Sequence, residues 1–387
     1  MVVSHKGGGS MKIGIMTSSM DWEIFGGQTG PGNYIYNLCK AMLKVKEDEE
    51  IYFIHYRKSS NELYKEGNEI IAPILPLRTE LFLRKFNFDV IHLHGAPHID
   101  PKPPYRRPFW LHRKNSKIVT TMHAIEALVL SLEGSEFGEI RFPRLKRYIL
   151  EKLFSKVDAV ITISNHSKKD LMKYLKIPEE KIKVIYYGID GIFRPIDGAN
   201  HVIRRYGIDS PFILHVSNYA PRKNPETLIK AFHKLKKEKM VNHKLVIAGR
   251  RWERSGIYDF VKKLDLQNDI IFTGNVPRED LVSFYNAADM FVYPTIYEGF
   301  GLPPLEAMAC RCPVITSNVT SVPEVVGDAA LLLGDPLDSQ DLAEKMYSVL
   351  IDEDLRNKLR EKGQNRSKEF SWEKCAKQTL DVYRGVD

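Results

Sequence analysis

Short β-branched runs alternate with longer amphipathic stretches along this chain, and the alternation happens twice. KIGIMTS leads into NYIYNLCKAMLK, and IYFIHY, DVIHLHG, KIVTTMH, KRYILEKLF, AVITIS and KIKVIYYG follow. After a pause at Tyr187-Gly188-Ile189-Asp190 the pattern restarts with FILHVSN and PETLIKAFHKLKKE. It then continues through KLVIAG, IYDFVKKL, DIIFTGNV, EDLVSFYNAA, MFVYPT, LEAMAC, PVITSN and ALLLGD. Strand, helix, strand at this spacing predicts a parallel, doubly wound sheet covered by helices. A length of 387 residues, 43% of them apolar, is enough for two such cores.

The expected layout is a first domain over 11–190 and a second over 191–365. A C-terminal helix over 366–387 is expected to pack back on the first domain. From Ser339 onward the pattern is helical, with Leu342, Met346, Val349 and Leu350 on one stripe and Trp372, Cys375 and Leu380 on another. Residues 1–10, MVVSHKGGGS, read as a cloning leader ending in a flexible Gly-Ser tract. No apolar run approaches the roughly 20 residues that span a bilayer. Cys39, Cys310, Cys312 and Cys375 are too scattered for a disulfide framework and lack zinc spacing, which points to a reducing cytoplasm and no structural metal.

The densest chemical pattern is Tyr293-Pro-Thr-Ile-Tyr-Glu298-Gly-Phe-Gly301-Leu-Pro-Pro304-Leu-Glu306-Ala-Met, a buried strand that turns through glycines into a helix. Pro304 suits the first helical position, which places Glu306 in the first turn. Gly299 and Gly301 let the backbone approach a ligand, and exposed N–H groups at the helix start form a cradle for a phosphate. Carboxylates on either side accept hydrogen bonds from sugar diols. Standing alone, the pair reads equally as a dipole-complementing Glu306 and a solvated Glu298.

It does not stand alone. Glu298, the Gly-Phe-Gly-Leu-Pro-Pro after it and Glu306 resemble the signature of retaining GT-B glycosyltransferases of family 4. Ser217-Asn-Tyr-Ala-Pro-Arg222-Lys223-Asn224-Pro, Ile247-Ala-Gly249, Thr273-Gly274-Asn275-Val276 and Ala287-Ala-Asp289 follow in the family's order. The likeness covers most of the C-terminal half and continues more weakly to the N-terminal glycine loop. It implies an α/β GT-B fold, two tandem Rossmann-like domains facing across a cleft, in which ligands collect beyond the carboxyl ends of the strands.

By the same resemblance Glu306 holds the ribose hydroxyls of a nucleotide. Glu298, with the backbone of Gly299, Phe300, Gly301 and Leu302, holds the transferred sugar and the diphosphate. Arg222 and Lys223 match the family's basic pair, whose charge stabilises a departing nucleoside diphosphate where a metal would otherwise serve. The same two residues also fit a solvated helix start. Many relatives carry the arginine at the position of Asn218, with lysine five residues later, so Arg222 stands in for it here. Arg251 is a further phosphate candidate. Asn275 and Val276 match the segment that receives the base through main-chain contacts, which leave base identity unread; the overall likeness leans towards GDP-mannose or a UDP-hexose.

In the first half, Gly26-Gly27-Gln-Thr-Gly30-Pro-Gly32-Asn33-Tyr34 precedes a helix and resembles the family's glycine loop beside the diphosphate. Gly30 and Gly32 are the candidates within it, although such glycines also serve conformation alone. A dinucleotide fingerprint needs a glycine where Ile35 stands. His123, at the end of KIVTTM, resembles histidines that contact the transferred sugar, while a satisfied structural imidazole is the alternative. His92, His94 and His98 lack acidic partners at metal spacing. Ser164-Asn165 lines a strand end and equally caps the next helix.

The resemblance further implies transfer with retained configuration, in which the leaving phosphate takes the acceptor's proton and no protein nucleophile is needed. Positioning and charge then rest on Lys223, Arg222 and the helix start near Leu305. No cofactor is expected beyond the nucleoside-diphosphate sugar, and the acceptor is a glycan or a lipid-linked one. Between Pro101 and Lys156, twelve Lys/Arg face five Asp/Glu, taking up most of the net charge of +8. Lys102-Pro-Pro-Tyr-Arg106-Arg107-Pro-Phe109-Trp110-Leu-His-Arg113-Lys114 mixes cations with aromatics, and Phe142 to Phe154 is an amphipathic helix bearing Arg144, Lys146 and Arg147. The region 102–154 can rest on an anionic membrane, placing the protein at the inner face of the membrane; an anionic glycan or a plain solvated face also fits, and nucleic acid, though it matches the charge, is not expected. Rival readings are an epimerase or phosphorylase-like GT-B enzyme, and a non-catalytic nucleotide-sugar sensor.

Overall fold

The structure is a computed structural model that describes residues 10–18, 20, 30–56, 61–73, 82–95, 116–138, 140–254 and 256–386. The chain divides into two compact units, one made of residues up to Gly188 together with Trp372 onward, the other of Ile189–Ser371.

Among the described residues, the first unit carries a seven-stranded parallel sheet in the order β3-β2-β1-β4-β5-β6-β7. The strands are β1 (Lys12–Met16), β2 (Glu50–His55), β3 (Asn68–Ile71), β4 (Val90–His94), β5 (Lys117–Met122), β6 (Ala159–Thr162) and β7 (Ile182–Val184). The helices are α1 (Gly30–Val45), α2 (Leu63–Glu66), α3 (Glu126–Leu132), α4 (Pro143–Phe154) and α5 (Asn165–Leu175). Helix α1 shows why the segment folds as it does: Tyr34, Ile35, Leu38, Cys39 and Met42 recur at three- and four-residue spacing and are all buried.

The second unit carries a six-stranded parallel sheet, β10-β9-β8-β11-β12-β13. Its strands are β8 (Phe212–Val216), β9 (Lys244–Ala248), β10 (Ile270–Gly274), β11 (Met290–Tyr293), β12 (Val314–Ser317) and β13 (Leu331–Leu333). Its helices are α6 (Ala199–Arg204), α7 (Pro225–Lys239), α8 (Ile257–Lys263), α9 (Arg278–Ala287), α10 (Leu302–Ala309), α11 (Val322–Val326), α12 (Ser339–Ile351) and α13 (Glu353–Ser367). Leu228, Ile229, Phe232 and Leu235 of α7 pack with Leu342, Met346 and Val349 of α12 over Ile213, Leu245, Ile247 and Val292 of the sheet. Both sheets are buried on two faces, as parallel sheets require.

The last helix, α14 (Trp372–Arg384), belongs to the first unit and lies along α1. Cys375, Ala376, Thr379, Leu380 and Tyr383 are its buried face. The Tyr383 hydroxyl meets His92 Nδ1 at 2.5 Å, and Arg384 Nε donates to Glu49 Oε1 at 2.9 Å.

Candidate active site

In the second sheet β8 and β11 are neighbours, yet the chain leaves β8 towards β9 and β11 towards β12, in opposite directions. The loops after these two strands therefore border the switch-point crevice of a doubly wound sheet, where ligands bind. Backbone and side-chain bonds tie the two loops together. Ile296 N–H donates to the Arg222 carbonyl at 2.8 Å. Asn224, held left-handed at φ 56°, donates its amide to the carbonyls of Pro294 at 3.0 Å and Pro336 at 2.6 Å. Asparagine tolerates that conformation better than most residues. The short 3₁₀ turn Pro221–Lys223 before it is thereby aimed at the loop after β11.

That aim brings together three predicted charges. Lys223 Nζ donates to Glu298 Oε1 and, at 2.5 Å, to the Tyr293 hydroxyl, while Arg222 Nη1 lies 3.3 Å from the same carboxylate oxygen. The Tyr293 hydroxyl donates to Glu298 Oε1 at 2.9 Å, and the Thr295 hydroxyl stands 3.1 Å from it. Glu298 is only 8% exposed. Burial by itself would raise its carboxyl, but Lys223 and Arg222, with the bonds from Lys223 and Tyr293, hold it below the usual range. Its backbone is fixed as well: Glu298 N–H donates to Thr320 Oγ1 at 3.0 Å, and its carbonyl accepts from Ser321 Oγ at 2.8 Å. Solvation is not what holds these residues, contrary to the alternative the sequence leaves open.

Tyr293 and Thr295 are members of this cluster that the motif does not single out. The signal was available: a tyrosine closing the buried apolar strand MFVY needs a partner for its hydroxyl. His215 stacks on Tyr293 with ring centroids 5.6 Å apart and spends its own nitrogens on the Val292 carbonyl and Ser217 Oγ.

The helix after the glycine turn begins two residues earlier than the sequence implies. Helix α10 starts at Leu302, with Gly301 as its N-cap at φ 103°, so Pro303 and Pro304 both lie in the first turn. Those are positions where a missing N–H costs nothing, and Gly301 supplies a backbone angle that favours glycine. Glu306 is accordingly the fifth helical residue, past the first turn, and the helix start lies near Leu302 rather than Leu305. Among the N-terminal amides, Pro303 and Pro304 contribute none, so any anion cradle rests on the backbone of Gly299, Phe300, Gly301 and Leu302. Phe300 is buried and packs edge-on against Phe370 at 5.8 Å.

Glu306 is half-buried beside Tyr285, whose hydroxyl donates to its Oε2 at 3.1 Å. Burial pushes its carboxyl up to about 7; Arg278 and Tyr285 pull the other way, and Asp190 adds to the rise. Arg278 Nη2 is committed to Asp190 Oδ2 at 3.0 Å and lies over the Phe193 ring. The two motif carboxylates are thus opposite in character, Glu298 ionised and Glu306 poised near neutrality.

Around this centre, Gly249 is required by space. At φ 139° a Cβ there would lie 1.9 Å from the Ser217 carbonyl oxygen. That close approach lets Trp252 Nε1 donate to Ser217 O at 3.1 Å and Asn218 Oδ1 accept the Arg250 N–H at 2.9 Å. Asn218 and Arg251 are exposed, Arg251 with left-handed backbone at φ 71°. Asn275 is exposed and Val276 buried just after β10.

In the first unit His123 follows β5 and is held neutral, its basicity lowered to about 4 by burial. Its Nδ1 bonds the Tyr187 hydroxyl at 2.5 Å, its ring lies 4.9 Å from Tyr34, and Nε2 is buried with no partner among the described residues. Gly32 lies in the first turn of α1, two residues after Gly30. Gly26, Gly27, His98 and the stretch 102–114 lie outside the described residues. Ser164 is the N-cap of α5, its Oγ accepting from Ser167 N–H at 3.0 Å, so the capping alternative describes it.

With this geometry in place, the comparisons with known proteins are decisive. Residues 29–191 match the profile described as Glycosyltransferase Family 4, and residues 202–366 that described as Glycosyl transferases group 1. The O-antigen chain mannosyltransferase B of Escherichia coli is 30% identical over 97% of this chain and 100% of its own length. This chain belongs to glycosyltransferase family 4.

Further relatives of this family 4 glycosyltransferase include the N-acetyl-alpha-D-glucosaminyl L-malate synthase of Bacillus anthracis, 28% identical over 78% of this chain and 75% of that protein. Among solved structures, sucrose-phosphate synthase from Thermosynechococcus elongatus superposes with a TM-score of 0.75 at 22% identity, over 97% of this chain and 98% of the other. HepE of Anabaena, solved in complex with UDP and glucose, gives 0.72 at 17% identity, over 97% and 100%. The fold is two-domain α/β GT-B, and the protein is a glycosyltransferase.

Proposed function

We propose that this enzyme transfers a hexose, with retained anomeric configuration, from a nucleoside-diphosphate sugar to a glycan or lipid-linked acceptor. The observation that carries the reading is the Lys223–Arg222–Glu298 cluster, buried at a switch point beside the glycine turn and the start of α10. Two fixed cations there suit a diphosphate, and an ionised carboxylate suits sugar hydroxyls. Mannose is the favoured hexose, because curated relatives include mannosyltransferases, and GDP-mannose the favoured donor, with a UDP-hexose as the alternative.

In the proposed reaction the acceptor hydroxyl attacks the anomeric carbon from the face the diphosphate leaves. The bond from that carbon to the phosphate oxygen breaks, and the phosphate oxygen takes the acceptor's proton. Lys223 and Arg222 stabilise the developing charge in place of a metal. Gly299 to Leu302 hold the diphosphate and sugar, Glu306 accepts from the ribose diol, and Asn275 and Val276 meet the base. His123 offers Nε2 to the transferred sugar, and Gly30, Gly32, Asn218 and Arg251 border the phosphates. The four cysteines are free and buried, which suits a reducing cytoplasm. A lipid-linked acceptor would bring the enzyme to a membrane surface; among the described residues, no helix is long and apolar enough to cross a membrane.

Thermal-shift measurements against GDP-, UDP- and ADP-sugars test the donor, since a ligand that binds only the folded state raises its melting temperature. GDP-mannose or a UDP-hexose should raise it selectively; no shift with any of them refutes the reading. Nucleotide release on adding acceptor then separates transfer from epimerisation and from a sensor that binds without turnover.

A further inference from the structure

Helix α4 of the first unit carries a second apolar side next to its buried one. Leu150, Leu153 and Phe154 face inward and are buried. On the outer side Phe142, Leu145, Tyr148 and Ile149 are 62%, 59%, 57% and 42% exposed, at the spacing of one helix face. A soluble helix normally presents polar residues there, so this outer face calls for a partner.

Charge decides the partner's chemistry. From Arg141, just before the helix, to Phe154 at its end, the segment carries Arg141, Arg144, Lys146, Arg147 and Lys152 against the single acid Glu151, which pairs with Arg147 at 3.4 Å. The Arg141 guanidinium lies 5.3 Å from the centre of the Phe142 ring and Lys152 Nζ 5.7 Å from that of Tyr148, so the cations rim the apolar side chains. A second copy of the chain would meet the same positive rim and be repelled. A polyanion alone would match the rim but gain nothing from four bulky apolar groups. An anionic bilayer satisfies both, with apolar side chains below the headgroups and cations among the phosphates.

We propose that the outer face of α4, centred on Phe142, Leu145, Tyr148 and Ile149, inserts into an anionic lipid surface and holds the enzyme peripherally at the membrane. The interaction requires neither donor nor acceptor, so its failure is distinguishable from failure of the transfer reading.

Full-length protein is sedimented with phosphatidylcholine vesicles, with and without phosphatidylglycerol, at low and high salt. Binding should need the anionic lipid and weaken in salt. A Phe142→Ser/Leu145→Ser/Ile149→Ser variant, and separately an Arg141→Glu/Arg144→Glu/Lys152→Glu variant, should each lower the partition coefficient by about tenfold or more. Both should keep the wild-type circular dichroism spectrum and donor-induced thermal shift, because neither alters a residue placed at the donor. Equal binding to neutral and anionic vesicles overturns the proposal, as does undiminished binding of the serine variant. A wild-type dimer that the serine variant converts to monomer also overturns it, by assigning the face to a second copy.

Discussion

Glu306→Gln separates what a residue does for binding from what it costs in stability. Glutamate 306 has its carboxyl pushed up to about 7 in the folded protein, from an ordinary 4.5. The folded state therefore holds this proton more tightly than the unfolded one, and stability is fully present below about 4.5 and lost as pH rises through about 7. At roughly 1.4 kcal/mol per pH unit, the separation corresponds to about 3 kcal/mol between pH 4.5 and 8, an order-of-magnitude figure. Glutamine has no charge to bury, so subtracting the two proteins' urea-unfolding free energies removes every other titrating group. The variant should gain about 3 kcal/mol on wild type as pH rises from about 5 to about 8. Donor affinity at about pH 8 should fall roughly 10- to 100-fold, because a ribose diol loses a charged acceptor. A free-energy difference that stays flat with pH would show that the carboxyl is not held near neutrality and refute the burial argument.

Lys223→Ala should lower kcat/KM by about a thousandfold, as expected for loss of a fixed cation at a leaving group. It should also cost stability, of order 3 kcal/mol, by leaving Glu298 with Arg222 alone; adding Glu298→Gln should restore the melting temperature and not the turnover, and a double variant no more stable than the single one counts against the ion pair. Glu298→Gln alone should tighten binding of the bare nucleoside diphosphate while lowering turnover, measured by calorimetry and initial rates; weaker diphosphate binding would remove the cations from the phosphate site. Gly249→Ala forces a Cβ against the Ser217 carbonyl at 1.9 Å, so the second unit should lose 3 kcal/mol or more, and a soluble variant melting with wild type would contradict the packing of that turn.

The sheets were readable because their strands are the part of the chain least free to vary: KIGIM, FILHV and KLVIA are apolar runs, broken only by a lysine at the start of two and by the buried His215, as burial on both faces demands. The site was readable as a motif and less so as geometry. Sequence put Glu306 in the first helical turn because one proline at the first position is the common pattern. Two adjacent prolines after a left-handed Gly301 start the helix at Leu302, an outcome set by backbone angle rather than composition. Tyr293 escaped notice because a strand-end tyrosine looks like core until its hydroxyl is placed between Lys223 and Glu298. The opposed ionisation of the two motif glutamates was not readable at all: it depends on which cations lie within a few ångströms, and Lys223 is 75 residues from Glu298 in the chain.

That opposition shapes how a donor would enter. Lys223 and Arg222, together with the Tyr293 bond, keep Glu298 ionised, and Glu298 in turn offsets the charge of both cations. A diphosphate arriving beside them brings more negative charge than one carboxylate, and can draw both cations towards itself. Glu298 then loses most of the attraction that offset its burial and has to find hydrogen-bond donors elsewhere, which the hydroxyls of an attached sugar supply. A nucleoside diphosphate without its sugar leaves that demand unmet. Under the proposed reading, the cluster therefore couples recognition of the two halves of the donor. Each interaction becomes favourable when the other is made.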